Sequence, residues 1–228
     1  MSLYYQDDYV TLYHGDCLTE HREWLDADVL VTDPPYGRDW KQGHLGKSGS
    51  KGASKANHGI ANDADTDARN IALSLWNGPA IVFGDLTLPP AGGTKLTGVY
   101  RKPNDAGLRG AVGGVRRDLE AIYFLGAWKS GLGGRSSLFS TSAPAVGSPS
   151  GLASRHGHPH AKPGDVMEEL ITLCPPGVIA DPFAGSGSTL TAAKALGRKV
   201  IGVELEERYC EVIAKRCAQE VLDLGAIA

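Results

Sequence analysis

The chain has 228 residues, 42% of them hydrophobic and 21% charged, with a formal net charge of −3. Such a chain is long enough to bury one substantial core; the composition excludes a disordered tail and a surface that grips nucleic acid through overall positive charge. No apolar run approaches the ~20 residues that span a bilayer.

The first sixteen residues, MSLYYQDDYVTLYHGD, carry acids and no cationic head or cleavage site, so they do not read as a secretory signal. Within them Val10–Tyr13 has the alternating, β-branched pattern of a strand. Cys17 follows, and with Cys174, Cys210 and Cys217 it forms no CxxC pair. Reduced thiols of a cytoplasmic chain are the expectation, with neither a disulfide frame nor a zinc site.

The apolar strand Val29–Thr32 runs straight into Asp33-Pro34-Pro35-Tyr36. In an open α/β sheet, ligands sit at the carboxyl ends of strands, which is where this tetrapeptide falls. Two prolines stiffen the turn and remove backbone donors. The Asp33 carboxylate and the Pro34 carbonyl then become fixed acceptors, and Tyr36 offers a flat face. That set suits an aromatic amine, with two N–H bonds to receive and a ring to stack; a purely structural turn is the alternative.

Residues 37–62 are rich in Gly, Ser and Lys and read as a mobile loop. The loop brings Arg38, Lys41, Lys47, Lys51 and Lys55 close together. Further on, a helix is expected over Ala68–Leu75 and strands over Ala80–Phe83, Leu96–Tyr100 and Ala121–Leu125. A second basic stretch includes Lys95, Arg101, Lys102, Arg109, Arg116, Arg117, Lys129 and Arg135. Both stretches allow a local cationic face for a polyanion, or simply solvated loops.

Beyond Gly126 the chain is again rich in Gly, Ser and Pro, up to His158-Pro159-His160-Ala161-Lys162-Pro163. The alternating histidines His156, His158 and His160 have no acid or cysteine beside them, so a metal site is not expected. A helix over Gly164–Leu173 presents Val166, Met167, Leu170 and Ile171 on one face. The strand Val178–Ala180 leads into Asp181-Pro182-Phe183-Ala184-Gly185-Ser186-Gly187-Ser188-Thr189 and a helix over Ser188–Leu196. Gly185 and Gly187 allow a tight turn, and the helix N-terminus presents free N–H groups. NAD and flavin domains use such turns too, but the spacing here is neither G-x-G-x-x-G nor a Walker loop. After the strand Val200–Val203 comes Glu204, placed to accept from ribose hydroxyls or to stand as a solvated surface acid. A last helix is expected over Glu206–Leu222, with Tyr209, Val212, Ile213 and Cys217 as its apolar stripe.

The elements DPPY, DPFAGSGST and VIGVE, in that order, resemble the DNA amino-methyltransferases that modify adenine N6 or cytosine N4. The order, with DPPY first, resembles the permuted beta group typical of bacterial restriction–modification and phage enzymes. Matching features run from about Val10 to Arg216. The resemblance implies an α/β, Rossmann-like methyltransferase fold: a mostly parallel seven-stranded sheet with helices on both faces, in one catalytic domain over residues 1–228. It implies S-adenosylmethionine as cofactor and double-stranded DNA as partner, with no membrane role and with a homodimer as one allowed assembly. Asp33, Pro34, Pro35 and Tyr36 become the catalytic residues. Asp16 and Lys162, together with Asp181, Phe183, Ala184, Gly185, Ser186, Gly187, Ser188, Thr189 and Glu204, become the cofactor-binding set. Lys162 belongs there because HPHAKP resembles the family's H-P-x-x-K-P run. Val82–Asp85 falls near the expected adenine pocket of the cofactor, and residues 108–156 take the place of a short target-recognition segment. Asp at the head of the tetrapeptide is commoner in the adenine enzymes, so adenine N6 of a base flipped from the duplex is the expected target. Cytosine N4, and a non-catalytic DNA-binding partner subunit, are the alternatives.

Overall fold

The computed structural model describes residues 2–38, 63–103, 106, 111–129, 133–142 and 161–219. Within them lie nine strands: β1 (Leu3–Gln6), β2 (Val10–His14), β3 (Val29–Thr32), β4 (Ala80–Gly84), β5 (Thr94–Arg101), β6 (Leu119–Leu125), β7 (Leu138–Ser140), β8 (Ile179–Asp181) and β9 (Val200–Glu204). The helices are α1 (Asp67–Leu75), α2 (Gly164–Leu173), α3 (Ser188–Ala195) and α4 (Glu207–Ala218), with a 3-10 turn at Glu23–Asp26.

All strands join one sheet in the order β1-β2-β9-β8-β3-β4-β6-β5-β7. The run β2-β9-β8-β3-β4 is parallel throughout. β6 pairs antiparallel with both β4 and β5, and β1 runs antiparallel to β2. The fold is therefore α/β and mostly parallel, as expected, but the sheet has nine strands rather than seven. The two extra strands are short: β1 with its half-exposed tyrosines covers one edge, and β7 contributes only Phe139 to the core.

β3 lies at the centre and all four of its residues are buried, the condition of a parallel strand covered on both faces. Val29 and Val31 face one core together with α2, α3 and α4, where Val166, Leu170, Leu190 and Ile213 pack. Leu30 faces the other, with Trp24 and Ala72 of α1. The helices therefore cover both faces. Two of them show a local reason for where they begin or end. The Asp165 carboxylate, in the first turn of α2, accepts from the backbone N–H and hydroxyl of Ser142 and the hydroxyl of Thr141, tying the exit of β7 to the helix start. Pro175 and Pro176 follow its last residues and cannot extend it. α4 has Glu207 in its first turn and Lys215 and Arg216 in its last, matching the helix dipole.

Candidate active site

Because the five central strands are parallel, their carboxyl ends line one edge. In sheet order that edge carries Asp16 after β2, Glu204 at the tip of β9, Asp181 at the tip of β8, Asp33 after β3 and Asp85 after β4. The Asp-Pro-Pro-Tyr corner and the glycine corner are thus neighbours, since β3 pairs with β8 through Val29↔Ile179 and Leu30↔Ala180. Side chains stitch them together. Thr32, next to Asp33, donates its hydroxyl to Asp181 Oδ1 at 2.7 Å, and Thr189 Oγ1 donates to the Val31 carbonyl at 3.4 Å.

At the glycine corner, Gly187 caps α3 in the left-handed region at φ 79°, and a Cβ there would come within 2.8 Å of Ile213. Gly185 also has positive φ, at 53°, and its N–H donates to Glu204 Oε2 at 2.7 Å. The Glu206 N–H donates to Glu204 Oε1 at 2.8 Å. The Gly15 N–H reaches the Glu204 carbonyl at 3.0 Å, and the Leu18 N–H donates to the Asp16 carboxylate at 2.8 Å. Burial pushes the Glu204 carboxyl up to about 7, against the lowering effect of those N–H donors. Burial likewise pushes Asp181 up to about 6. Ser186, Ser188 and Thr189 are buried, and Ser188 donates to the Lys162 carbonyl at 2.9 Å. Phe183 is half-buried against the core beside Val203, and Ala184 donates its N–H to the Val203 carbonyl at 3.0 Å. Glu204 is thus a buried acceptor, and the solvated surface alternative falls away.

At the other corner, Tyr36 donates its hydroxyl to Asp33 Oδ1 at 2.6 Å. The Lys162 ammonium donates to Asp33 Oδ2 at 2.5 Å and lies 4.9 Å from the centre of the Phe83 ring. Lys162 was expected among the cofactor residues. The structure puts its ammonium on the tetrapeptide and its carbonyl on Ser188, so this one residue bridges both corners. Pro34 is buried and Pro35 half-buried between Asp33 and Tyr36. The exit from the turn is held by the buried Asp63, which accepts from the Gly37 N–H at 2.8 Å.

One residue of this site was not singled out from the sequence. Glu120, at the start of β6, is buried with Oε1 2.7 Å from Lys102 Nζ and Oε2 3.3 Å from Lys162 Nζ. Tyr36 also reaches Glu120 Oε2, at 3.4 Å. Burial opposes a charged Lys162, but the Asp33 and Glu120 carboxylates prevail and raise its ammonium above the usual lysine range. Burial, followed by the same two carboxylates, holds the Tyr36 hydroxyl neutral, far above the usual phenol range. The Val82–Asp85 segment, expected near an adenine pocket, lies on the Asp33 side: Phe83 sits under Lys162, and Asp85 pairs with Arg38 and accepts from Thr87.

Residues 39–62 of the expected mobile loop lie outside the described residues, as do His156, His158 and His160. Of the 108–156 stretch, residues 119–125 are β6 and 138–140 are β7, so sheet strands interrupt it. No helix among the described residues is long and apolar enough to cross a membrane.

Residues 124–216 match the family model described as DNA methylase, of N6/N4 type. Over those residues the chain is similar to the N6/N4 DNA amino-methyltransferases. The matched residues hold the glycine corner and Glu204, while Asp33–Tyr36 lies outside them and is brought to the same edge by the fold. Among curated relatives, the type II methyltransferase M.ScaI of Streptomyces caespitosus is 40% identical over 72 residues, 31% of this chain and 24% of that enzyme. M.HinfI of Haemophilus influenzae is 41% identical over 64 residues, 27% of this chain and 18% of its own. The matches thus span about a quarter or less of these relatives' length. Two solved structures share the fold. The M1.HpyAVI–SAM complex aligns with a TM-score of 0.61 at 22% identity, over 92% of this chain and 100% of its own. The cytosine-N4-specific PvuII DNA methyltransferase aligns with a TM-score of 0.64 at 17% identity, over 98% of this chain and 92% of its own.

Proposed function

We propose that this chain transfers the methyl group of S-adenosylmethionine to the exocyclic N6 of adenine in double-stranded DNA. The observation that carries the reading is the Thr32–Asp181 hydrogen bond, which fastens the Asp33 corner to the glycine corner at one sheet edge. One corner suits a donor-rich cofactor and the other suits an amine.

The cofactor reading rests on the donor set. Asp16, Asp181 and Glu204 occupy adjoining strand tips; Asp16 Oδ1 and both Glu204 oxygens each receive one backbone N–H and retain acceptor capacity, whereas Asp181 Oδ1 already accepts from the Phe183 N–H and the Thr32 hydroxyl. Ribose hydroxyls and an α-ammonium are the groups such a row would take up. Glu204 is the residue for the ribose, beside the positive-φ turn at Gly185. When bound, S-adenosylmethionine supplies an electrophilic methyl carbon, whose new bond to the amine replaces its bond to sulfur.

On the acceptor side, Asp33 and the Pro34 carbonyl receive the two N–H bonds of the target amine. That fixes the nitrogen and favours the pyramidal shape needed for attack, so the gain comes from position and oriented dipoles. A duplex base reaches this corner only by leaving the stack, at a cost of a few kcal/mol. Tyr36 offsets part of that cost if its ring receives the base. Residues 37–62 and the non-sheet parts of 108–156 are assigned to DNA contact, with base recognition in the second.

Cytosine N4 is the second reading, because its amine also offers two N–H donors and the PvuII enzyme shares the fold. Asp at position 33 favours adenine. Mass spectrometry of nucleosides from DNA treated with the protein and S-adenosylmethionine decides between them. N6-methyladenine is expected; N4-methylcytosine selects the second reading, and unmodified DNA refutes both.

A further inference from the structure

Asp33 is engaged on both oxygens: Oδ1 by the Tyr36 hydroxyl at 2.6 Å and Oδ2 by the Lys162 ammonium at 2.5 Å. Each oxygen keeps a second lone pair, so an arriving amine can bind beside these donors, but it competes with them for Asp33 and loosens or displaces the one it crowds. A displaced ammonium is buried and cannot turn to water, and an unpaired buried charge is strongly unfavourable. Both groups have a second acceptor, and it is the same atom. Glu120 Oε2 lies 3.3 Å from Lys162 Nζ and 3.4 Å from the Tyr36 hydroxyl.

We propose that Glu120 is a positioning residue for methyl transfer, receiving Lys162 and Tyr36 when the target amine takes their place on Asp33. The inference rests on the reading of Asp33 as the amine acceptor. Glu120 is built for the part. It sits on a sheet strand between two neighbours, opposite Tyr100 of β5 and one residue from the Ala121↔Gly84 pair with β4. Its other oxygen is held by Lys102 at 2.7 Å, so Asp33, Lys162, Glu120 and Lys102 form two anions and two cations. Charge stays balanced whichever carboxylate Lys162 favours. The exchange also prepares the proton's exit. Once the amine nitrogen has bonded to the methyl carbon it is cationic; one N–H bond then breaks, its electron pair stays on nitrogen, and the proton passes to Asp33 and on to solvent. Lys162, already an ammonium, cannot accept that proton.

The test is steady-state transfer of tritiated methyl to unmethylated DNA by the wild type, Glu120→Gln, Glu120→Asp, Lys162→Met and the Gln/Met double variant, with folding checked by circular dichroism. Glu120→Gln keeps the shape of the side chain and removes its charge. A misplaced reacting group costs up to about 100-fold, so kcat should fall between about 10- and 100-fold while KM for DNA and cofactor affinity stay within about twofold. Glu120→Asp should recover part of kcat. Because Glu120 acts through Lys162, Glu120→Gln should add little to the loss already caused by Lys162→Met. Wild-type kcat in a folded Glu120→Gln, or a loss that adds in full to that of Lys162→Met, overturns the inference. If Glu120→Gln does not fold, Glu120→Asp serves: unchanged kcat that ignores Lys162 has the same force. A wild type that labels no DNA overturns the functional reading and this inference with it, whereas an active wild type with indifferent variants overturns the inference alone.

Discussion

Glu204 offers a pH test of the cofactor corner. Its carboxyl is pushed up to about 7 by burial, so about a tenth is ionised at pH 6 and about nine-tenths at pH 8. Ribose hydroxyls and a cationic ligand both favour the ionised form. The dissociation constant for S-adenosylmethionine should therefore fall about tenfold from pH 6 to pH 8, equivalent to about 1.4 kcal/mol. Folding stability of the free protein moves the other way. A carboxyl with a raised folded-state pKa binds its proton more tightly when folded, so its stabilising effect is present at low pH. That effect is lost as pH rises from about 4.5 towards 7, by an amount on the order of 3 kcal/mol. The assay is isothermal titration calorimetry at pH 6, 7 and 8, with melting curves taken with and without ligand. Glu204→Gln is the control, because it retains the ligand's own α-amino titration and that of Asp181. Wild-type affinity should steepen with pH relative to the variant, and the ligand-induced rise in Tm should be larger at pH 8. Parallel pH profiles for the two proteins would refute the placement of Glu204 against the ligand.

Asp33→Ala should abolish methyl transfer while calorimetry finds cofactor affinity within about threefold of wild type, since the Asp33 oxygens are bonded to Tyr36 and Lys162. Tyr36→Phe removes a hydrogen bond to a charged acceptor, worth about 1.5–3 kcal/mol, and should lower kcat by roughly 10- to 100-fold without changing cofactor affinity. Gly187→Ala forces a Cβ into the left-handed region and to within 2.8 Å of Ile213; thermal melts should show a loss of about 1–3 kcal/mol, with cofactor affinity falling as well. Trp24→Ala empties a fully buried site and removes the indole N–H donation to the Cys17 carbonyl. Denaturant unfolding should register about 3–5 kcal/mol, with the Asp16 segment weakened first.

All seven expected strands are present, because β-branched apolar runs such as Val29–Thr32 and Ala80–Phe83 permit little else once both faces are covered. Helix α2 begins at Gly164 and ends at Leu173 as its period and flanking prolines imply, and α4 begins at Glu207, one residue inside its expected start. The strands not foreseen, β1 and β7, draw their definition from pairing partners, and three residues around Phe139 carry no period of their own. The strand tips of the site were legible, since motif and sheet edge coincide. Glu120 was not. A glutamate ahead of the apolar run Ala-Ile-Tyr-Phe-Leu reads as a solvated strand start. Its burial arises from Lys102 and Lys162, placed beside it by the β5–β6 register and by the approach to α2. The one available signal was a lysine just past the neighbouring strand, and without the register it is one cation among many. Lys162 was read with the cofactor from its motif; its side chain crosses to the other corner because Ser188 fixes its carbonyl while Asp33 and Glu120 attract its ammonium.

The pairing of β2 with β9 and of β3 with β8 has a consequence for how the protein is made. Val10 lies opposite Val200 and Val29 opposite Ile179, so each early strand waits for a partner synthesised much later. Such distant pairings close slowly, and nascent chains emerge N-terminus first. While the ribosome is still extending the chain, β3 has β4 for one flank and bare hydrogen-bonding groups on the other. Assembly of the reactive edge must therefore be nearly the last event of folding, and until then the newborn protein is both inert and open to sticking through its most apolar strand.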